Sequence, residues 1–203
     1  MAGPEAAEGP DETRRTRLTP EREKEIYEAV VELLNEVDYD TLTMDDVAAR
    51  ARASKATFYR QWKSKSRLVA AAVRHYKHYD LASVDTGSLR GDLREIARIV
   101  GDATGRKDTA PVRALSRAMR NNAELADAVR ESKIKPETEM LHRVIERALE
   151  RGEIAPGNPA LAFVGPLITG AALARPTFDG VEADTDYLSR YMDACVLPAL
   201  LQR

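Results

Sequence analysis

The chain has 203 residues, 43% of them hydrophobic and 32% charged, with a formal net charge of −2. That length supports one large domain or two modest ones with real cores, and the near-zero net charge excludes a protein drawn to polyanions by its overall field. A single cysteine, Cys195, excludes an intramolecular disulfide and a multi-cysteine zinc site, so a cytoplasmic location is expected.

Residues 1–18 read as a disordered arm: Ala, Glu, Gly and Pro without apolar periodicity, and without the apolar stretch of a signal peptide. Arg14, Arg15 and Arg17 near its end suit either a minor-groove arm or a solubilising tail. A first helix is predicted from an N-cap at Thr19, with Pro20 at its first position and Glu21 and Glu23 at the positive end of the dipole. Ile26, Val30, Leu33 and Val37 recur at helical spacing on its buried face, and residues 38–40 close it. Thr43 with Asp46 makes a capping box for a second helix, whose apolar face is Met44, Val47, Ala48 and Ala51. Ser54 caps a third helix running to Trp62, and Ser64 caps a fourth over residues 64–79. Two short helices joined tightly at Arg52-Ala53 form the helix-turn-helix plan, which places the head at residues 19–66.

From about Leu89 onward every segment reads as helix, within a helical effector-binding and dimerisation body expected over residues 80–203. Leu89, Leu93, Ile96, Ala97 and Val100 mark one amphipathic face; Val112, Leu115 and Met119 mark the next. Leu125 and Val129 lead toward a break at Pro136, and Met140, Leu141, Val144, Ile145, Ala148 and Leu149 run on to a stop at Gly152. A charge-free helix opens at Pro159. The last begins at Asp184, with Leu188, Met192, Cys195 and Val196 on its face. Residues 154–174 carry no charge, but three prolines and three glycines interrupt them, which leaves too short a run for a bilayer needing about 20 residues. A helix buried between protein surfaces is expected instead. The fold class is therefore all-α, with about nine helices in a helix-turn-helix head and a helical body.

Charge is uneven along the chain. Residues 50–77 hold nine Lys/Arg and no acid, the footprint of a polyanion site inside a neutral protein. The run from Thr43 to Lys65 resembles the signature of the TetR (TetR/AcrR) family of regulators at Thr43, Ala48, Ala51, Ser54, Thr57, Tyr59, Ser64 and Lys65, with Val47 and Trp62 as apolar equivalents. The likeness is tight over residues 20–70 and architectural beyond. Arg52 departs from it, since the family usually has Gly in this turn. The resemblance implies that Thr43, Tyr59 and Lys65, with Lys63 beside them, grip phosphates, and that caps at Thr43 and Ser54 aim helix dipoles at the backbone. Base reading then falls to Lys55, Ala56, Thr57 and Arg60, with Arg52 a further contact, while Phe58 and Trp62 belong to the core.

It also implies a dimer through the last two helices, a palindromic double-stranded DNA operator, and release by a small-molecule effector. Leu115, Met119, Met140, Val144, Phe163 and Leu167 are the candidate pocket lining. No phosphate loop, nucleophile elbow or zinc-protease motif occurs, so no enzyme and no cofactor is expected. His75 with His78, and Glu139 with His142, are single pairs at helical spacing and fall short of a metal site. The alternative is a helical ligand-binding or scaffold protein whose head has lost DNA affinity, with Arg52 as the lesion.

Overall fold

The computed structural model describes residues 18–76, 80–106 and 110–202, with side chains for all of these except 105–106 and 110–114. Arg14, Arg15, Arg17, Lys77, His78 and the side chain of Val112 lie outside the described residues. Regular structure among the described residues is entirely helical: α1 (Pro20–Glu36), α2 (Met44–Arg50), α3 (Lys55–Trp62), α4 (Lys65–Tyr76), α5 (Leu89–Arg106), α6 (Ala110–Asn121), α7 (Ala123–Val129), α8 (Lys135–Glu150), α9 (Val164–Phe178), α10 (Thr185–Tyr191) and α11 (Leu197–Leu201). α7 runs into α8, and α10 into α11, so these elements make nine continuous rods among the described residues.

The caps fall where the sequence puts them. Thr19 accepts from the Arg22 N–H, Thr43 and Asp46 close a reciprocal capping box, and Ser54 accepts from the Thr57 N–H. Gly152 ends α8 at φ 73, a left-handed position open to glycine without a Cβ penalty. Val37 differs from expectation. It lies beyond the end of α1 in extended backbone and is exposed rather than on the buried face.

Pro136 does not break its helix. A π-turn, Arg130–Ile134, precedes it, with the Lys135 N–H reaching back five residues to Arg130 O. The wider turn gives room to a proline ring that would clash with the preceding turn of a regular helix. The same device recurs at Met192–Val196, where the Leu197 N–H bonds Met192 O just before Pro198. In this second turn Cys195 is exposed while Met192 and Val196 are buried, contrary to the single buried face expected.

Two cores form. The first joins Ile26, Val30, Leu33 and Leu34 of α1, Val47 of α2, Phe58 and Trp62 of α3 and Leu68, Val69 and Val73 of α4. It continues into Leu115 of α6 and Leu125 and Val129 of α7, so the head's core extends past residue 66 into the body. The second core joins α5, α8, α9, α10 and α11 through Leu93, Ile96, Val144, Ile168, Leu188 and Leu200. Close contact of α5 with α10 depends on Gly101, where any Cβ would strike the Thr185 backbone. Thr104 Oγ1 donates to Ala183 O and Thr185 Oγ1 donates to Asp102 Oδ1 at 3.0 Å across the same junction.

Candidate nucleic-acid interface

α3 is held by its inner face. Phe58 and Trp62 are buried with ring centroids 5.3 Å apart, and Trp62 meets the Tyr27 ring edge-to-face at 5.9 Å. Fully burying one such side chain stabilises by about 1.5–3 kcal/mol, enough to fix the helix's rotation. That rotation turns Lys55, Ala56, Tyr59 and Arg60 outward, with Tyr59 54% exposed. Ser54 and Thr43 are exposed at the starts of α3 and α2, Thr57 is half-buried, and Lys63 follows α3 in a left-handed conformation at φ 64. Nine of the ten sequence-predicted contacts therefore present a polar atom or a methyl group at or near the outer surface of the α2–α3 unit.

Lys65 is the exception. Its ammonium donates to Tyr39 O at 2.8 Å, Leu42 O at 2.9 Å and Asp40 O at 3.4 Å, and it lies 4.3 Å from the centre of the Tyr39 ring. Three donors are thus engaged with the α1–α2 loop, whose carbonyls have no helical partner. The structure places Lys65 as a clamp on this loop, beside the outer surface of the α2–α3 unit. Tyr39 completes the clamp by sharing a 2.9 Å hydrogen bond with Ser66, and burial raises its phenol pKa.

The turn between α2 and α3 adopts the conformation that makes Arg52 unusual: φ is 50, where a non-glycine residue costs about 1 kcal/mol. A residue that sequence spacing does not reveal compensates. The Arg22 guanidinium, on the first turn of α1, donates to Ala51 O and, at 3.0 Å, to Arg52 O. It satisfies the carbonyls at the end of α2 and ties the turn to α1. The only sequence signal for it is the need of a strained, glycine-free turn for donors.

The basic block is less exposed as charge than its composition suggests. Arg50 turns to α1 and pairs with Glu36 through two bonds of 3.0 and 2.7 Å, with Glu32 beside it. The Arg50 hydrogen bond holds the Glu36 carboxyl below its ordinary range. Lys55 pairs with Asp45 of α2, whose hydrogen bond raises the lysine's pKa. Arg52, Arg60 and Lys63 are exposed cations of the same outer surface.

The six candidate pocket residues do not come together in one core. Leu115 is in the first core with Met119 against it; Val144 is in the second with Met140 and Leu167 against it; Phe163 is 60% exposed. The reason is topological: α6 packs under the head, while α8 and α9 pack on α5 and the last helices. No group of three His, Cys, Asp or Glu side chains suited to a metal occurs among the described residues.

Comparison with known proteins supports this geometry. Residues 26–72 match the bacterial regulatory-protein family model named for tetR, and residues 83–195 match the tetracyclin repressor-like C-terminal domain. An uncharacterized HTH-type transcriptional regulator of Mycobacterium tuberculosis is 31% identical over 180 residues, 88% of either chain. The DNA-binding transcriptional repressor TetR of Mycobacteroides abscessus is 35% identical over 116 residues, covering 57% of this chain and 61% of that protein. Among solved structures, the TetR family transcription regulator SCO0332 superposes with a TM-score of 0.62 at 25% identity, covering 88% of this chain and 98% of that one. A TetR-family structure from Mesorhizobium loti superposes at 0.65 with 20% identity, over 90% and 98% of the two chains. A capped helix-turn-helix with an outward polar face, on a helical body matched over most of its length, identifies the chain as a member of the TetR family of transcriptional regulators, with a helix-turn-helix DNA-binding domain.

Proposed function

We propose that this regulator is a repressor that binds a palindromic operator as a homodimer and is released by a small-molecule effector. The observation that carries the proposal is the outward face of α3, where Lys55, Ala56, Tyr59 and Arg60 project from a helix locked by Phe58 and Trp62. Lys and Arg there suit guanine, and the Ala56 methyl suits thymine. Thr57 reads beside them through its methyl group; Thr43, Ser54, Tyr59 and Lys63 set the register against phosphates, and Arg52 adds a cation at the turn.

The second copy is supported by α9. Residues Pro159–Phe178 form a strongly apolar run, yet few of them are buried. Phe163, Leu173 and Phe178 are 60%, 58% and 84% exposed, large apolar side chains that a partner surface would cover. Contrary to the short run expected from its prolines and glycines, the 20-residue stretch Pro159–Phe178 is long and apolar enough to cross a membrane by length and composition alone. A second copy accounts better for its small residues, Gly165, Gly170 and Ala172, which permit close helix approach, and for Ala194, Cys195, Pro198 and Leu201, which are exposed on the neighbouring helix. Two heads related by a two-fold axis read half-sites about one DNA turn, roughly 34 Å, apart.

Selection of bound duplexes from fragmented genomic DNA at moderate salt, followed by footprinting, tests the reading. The expected result is a protected palindrome. With about eight phosphates gripped, the log–log salt slope is near −7, and affinity falls by about 10⁴ between 50 and 200 mM salt. A folded dimer with no enrichment and no salt slope overturns the repressor and favours the scaffold alternative.

A further inference from the structure

Asp45 is an acid of the head whose ion-pair partner, Lys55, lies on α3. Glu25 pairs with Arg22, Glu28 with Lys24, Glu32 and Glu36 with Arg50, and Asp46 closes the capping box with Thr43. Each of these tightens α1 or α2. Asp45 Oδ2 instead meets Lys55 Nζ, which joins the second residue of α2 to the first residue of α3. Both side chains remain more than half exposed, 54% and 64%, so the pair is not buried structure; it sits at the surface.

A carboxylate at this place is unfavourable for simple phosphate binding. It repels the DNA backbone, and it occupies the ammonium that would otherwise grip a phosphate. It has one favourable use in a major groove, which is to accept a hydrogen bond from a base amine, and cytosine N4 is the amine suited to it. Lysine has the complementary use, donating to guanine O6 and N7. A side-by-side carboxylate and ammonium therefore match the two edges of a G·C pair, or of adjacent G and C bases.

Resting on the DNA-binding reading above, we propose that Asp45 is a sequence-reading residue that works as a unit with Lys55, selecting a G·C step in each half-site and weakening the protein's hold on all other DNA. On a matching step both groups exchange their mutual ion pair for base contacts. On a non-matching step the carboxylate has no donor and faces the backbone potential. The pair thus reads sequence by penalty as well as by contact.

The test is duplex selection with the full-length wild type, Asp45→Ala and Lys55→Ala, with titration of each on a fixed random-sequence duplex at several salt concentrations. Alanine is a good helix former with no hydrogen-bonding group, and an unchanged helical circular dichroism spectrum checks folding. For Asp45→Ala the expected result is loss of G·C preference at one position per half-site, by about 5- to 100-fold, the range of a single good base contact. Lys55→Ala loses preference at the same or the adjacent position. Affinity of Asp45→Ala for the random duplex rises, and its salt slope steepens by about 2 for the dimer as each freed lysine takes a phosphate. A selected motif identical to wild type in Asp45→Ala overturns the proposal. Loss at widely separated positions in the two variants overturns the unit. If the wild type itself selects no motif, the DNA-binding reading fails, a result distinct from a wild-type motif that Asp45→Ala leaves unchanged.

Discussion

Replacing Lys65 with Met separates a clamp from a phosphate contact, because the two roles predict losses in different measurements. Methionine keeps the apolar stem and removes three N–H donors. Two of the bonds removed are well formed, to Tyr39 O at 2.8 Å and Leu42 O at 2.9 Å; the third, to Asp40 O at 3.4 Å, is weak. A hydrogen bond to a charged group contributes about 1.5–3 kcal/mol, and the low end applies here because water can reach the part-buried carbonyls once the ammonium is gone. The ammonium on the Tyr39 ring adds about 0.5–1 kcal/mol. The total is a loss of about 3.5–4 kcal/mol in folding stability. With a urea m-value of about 2 kcal/mol/M, the midpoint at fixed protein concentration falls by about 2 M, with m unchanged. The same samples are then titrated with operator DNA across a salt series. An unmoved urea midpoint, together with a salt slope shallower by about 2 for the dimer, would refute the clamp and restore the phosphate role.

Arg52→Gly should relieve the strain at φ 50, raising stability by about 1 kcal/mol and Tm by roughly 2–4 °C in a chain of this size; a lower Tm in a thermal melt would show that the arginine side chain stabilises more than its backbone costs. Leu173→Glu places a charge on the exposed apolar face of α9 and is expected to give a folded monomer by sedimentation, with operator affinity reduced by at least 100-fold; a dimer of unchanged mass would move the interface elsewhere. The pKa of Asp46 is lowered chiefly by its hydrogen bond with the Thr43 side chain, and that of Asp184 chiefly by the Tyr187 N–H. Because both folded values lie below the ordinary 3.8, their stabilisation is present above that pH and is lost as pH falls through the folded values. Asp46→Ala and Asp184→Ala should therefore flatten the acid limb of a pH-unfolding curve, and an acid limb as steep as wild type in both would contradict the assignment.

The helix-turn-helix was legible because its determinants are local. Caps at Thr19, Thr43 and Ser54 act within one turn, and the inward set of Phe58 and Trp62 follows from their spacing of four. What the sequence left hidden depends on partners far along the chain. Nothing near Lys65 signals that the carbonyls at Tyr39, Asp40 and Leu42 lack donors, and nothing near Arg22 signals that it serves Ala51 and Arg52 across the head. Counting cations in residues 50–77 overstated the outward charge for the same reason: the acids that neutralise Arg50 and Lys55 come from outside that window. Pro136 reads as a breaker because a π-turn has no sequence signature of its own.

The placement of Leu115, Leu125 and Val129 in the head's core bears on how a signal crosses the molecule. α6 and α7 thus share a close-packed core with the helix-turn-helix, and α5 shares the other with α8–α11, which makes two packed units. Three chain connections cross between these units: the segment after α4, the segment between α5 and α6, and the π-turn Arg130–Ile134. The last keeps helical hydrogen bonding throughout, through the Lys135 N–H to Arg130 O, and it also lies against α4. A ligand affects the heads only to the extent that it binds one arrangement of the two units better than the other. A molecule enclosed wholly within either core meets the same surroundings in both arrangements and shifts nothing. On the proposed release by an effector, a ligand that touches the seam is the kind that can act, and Leu115 and Met119 stand on one side of that seam with Val144 and Leu167 on the other.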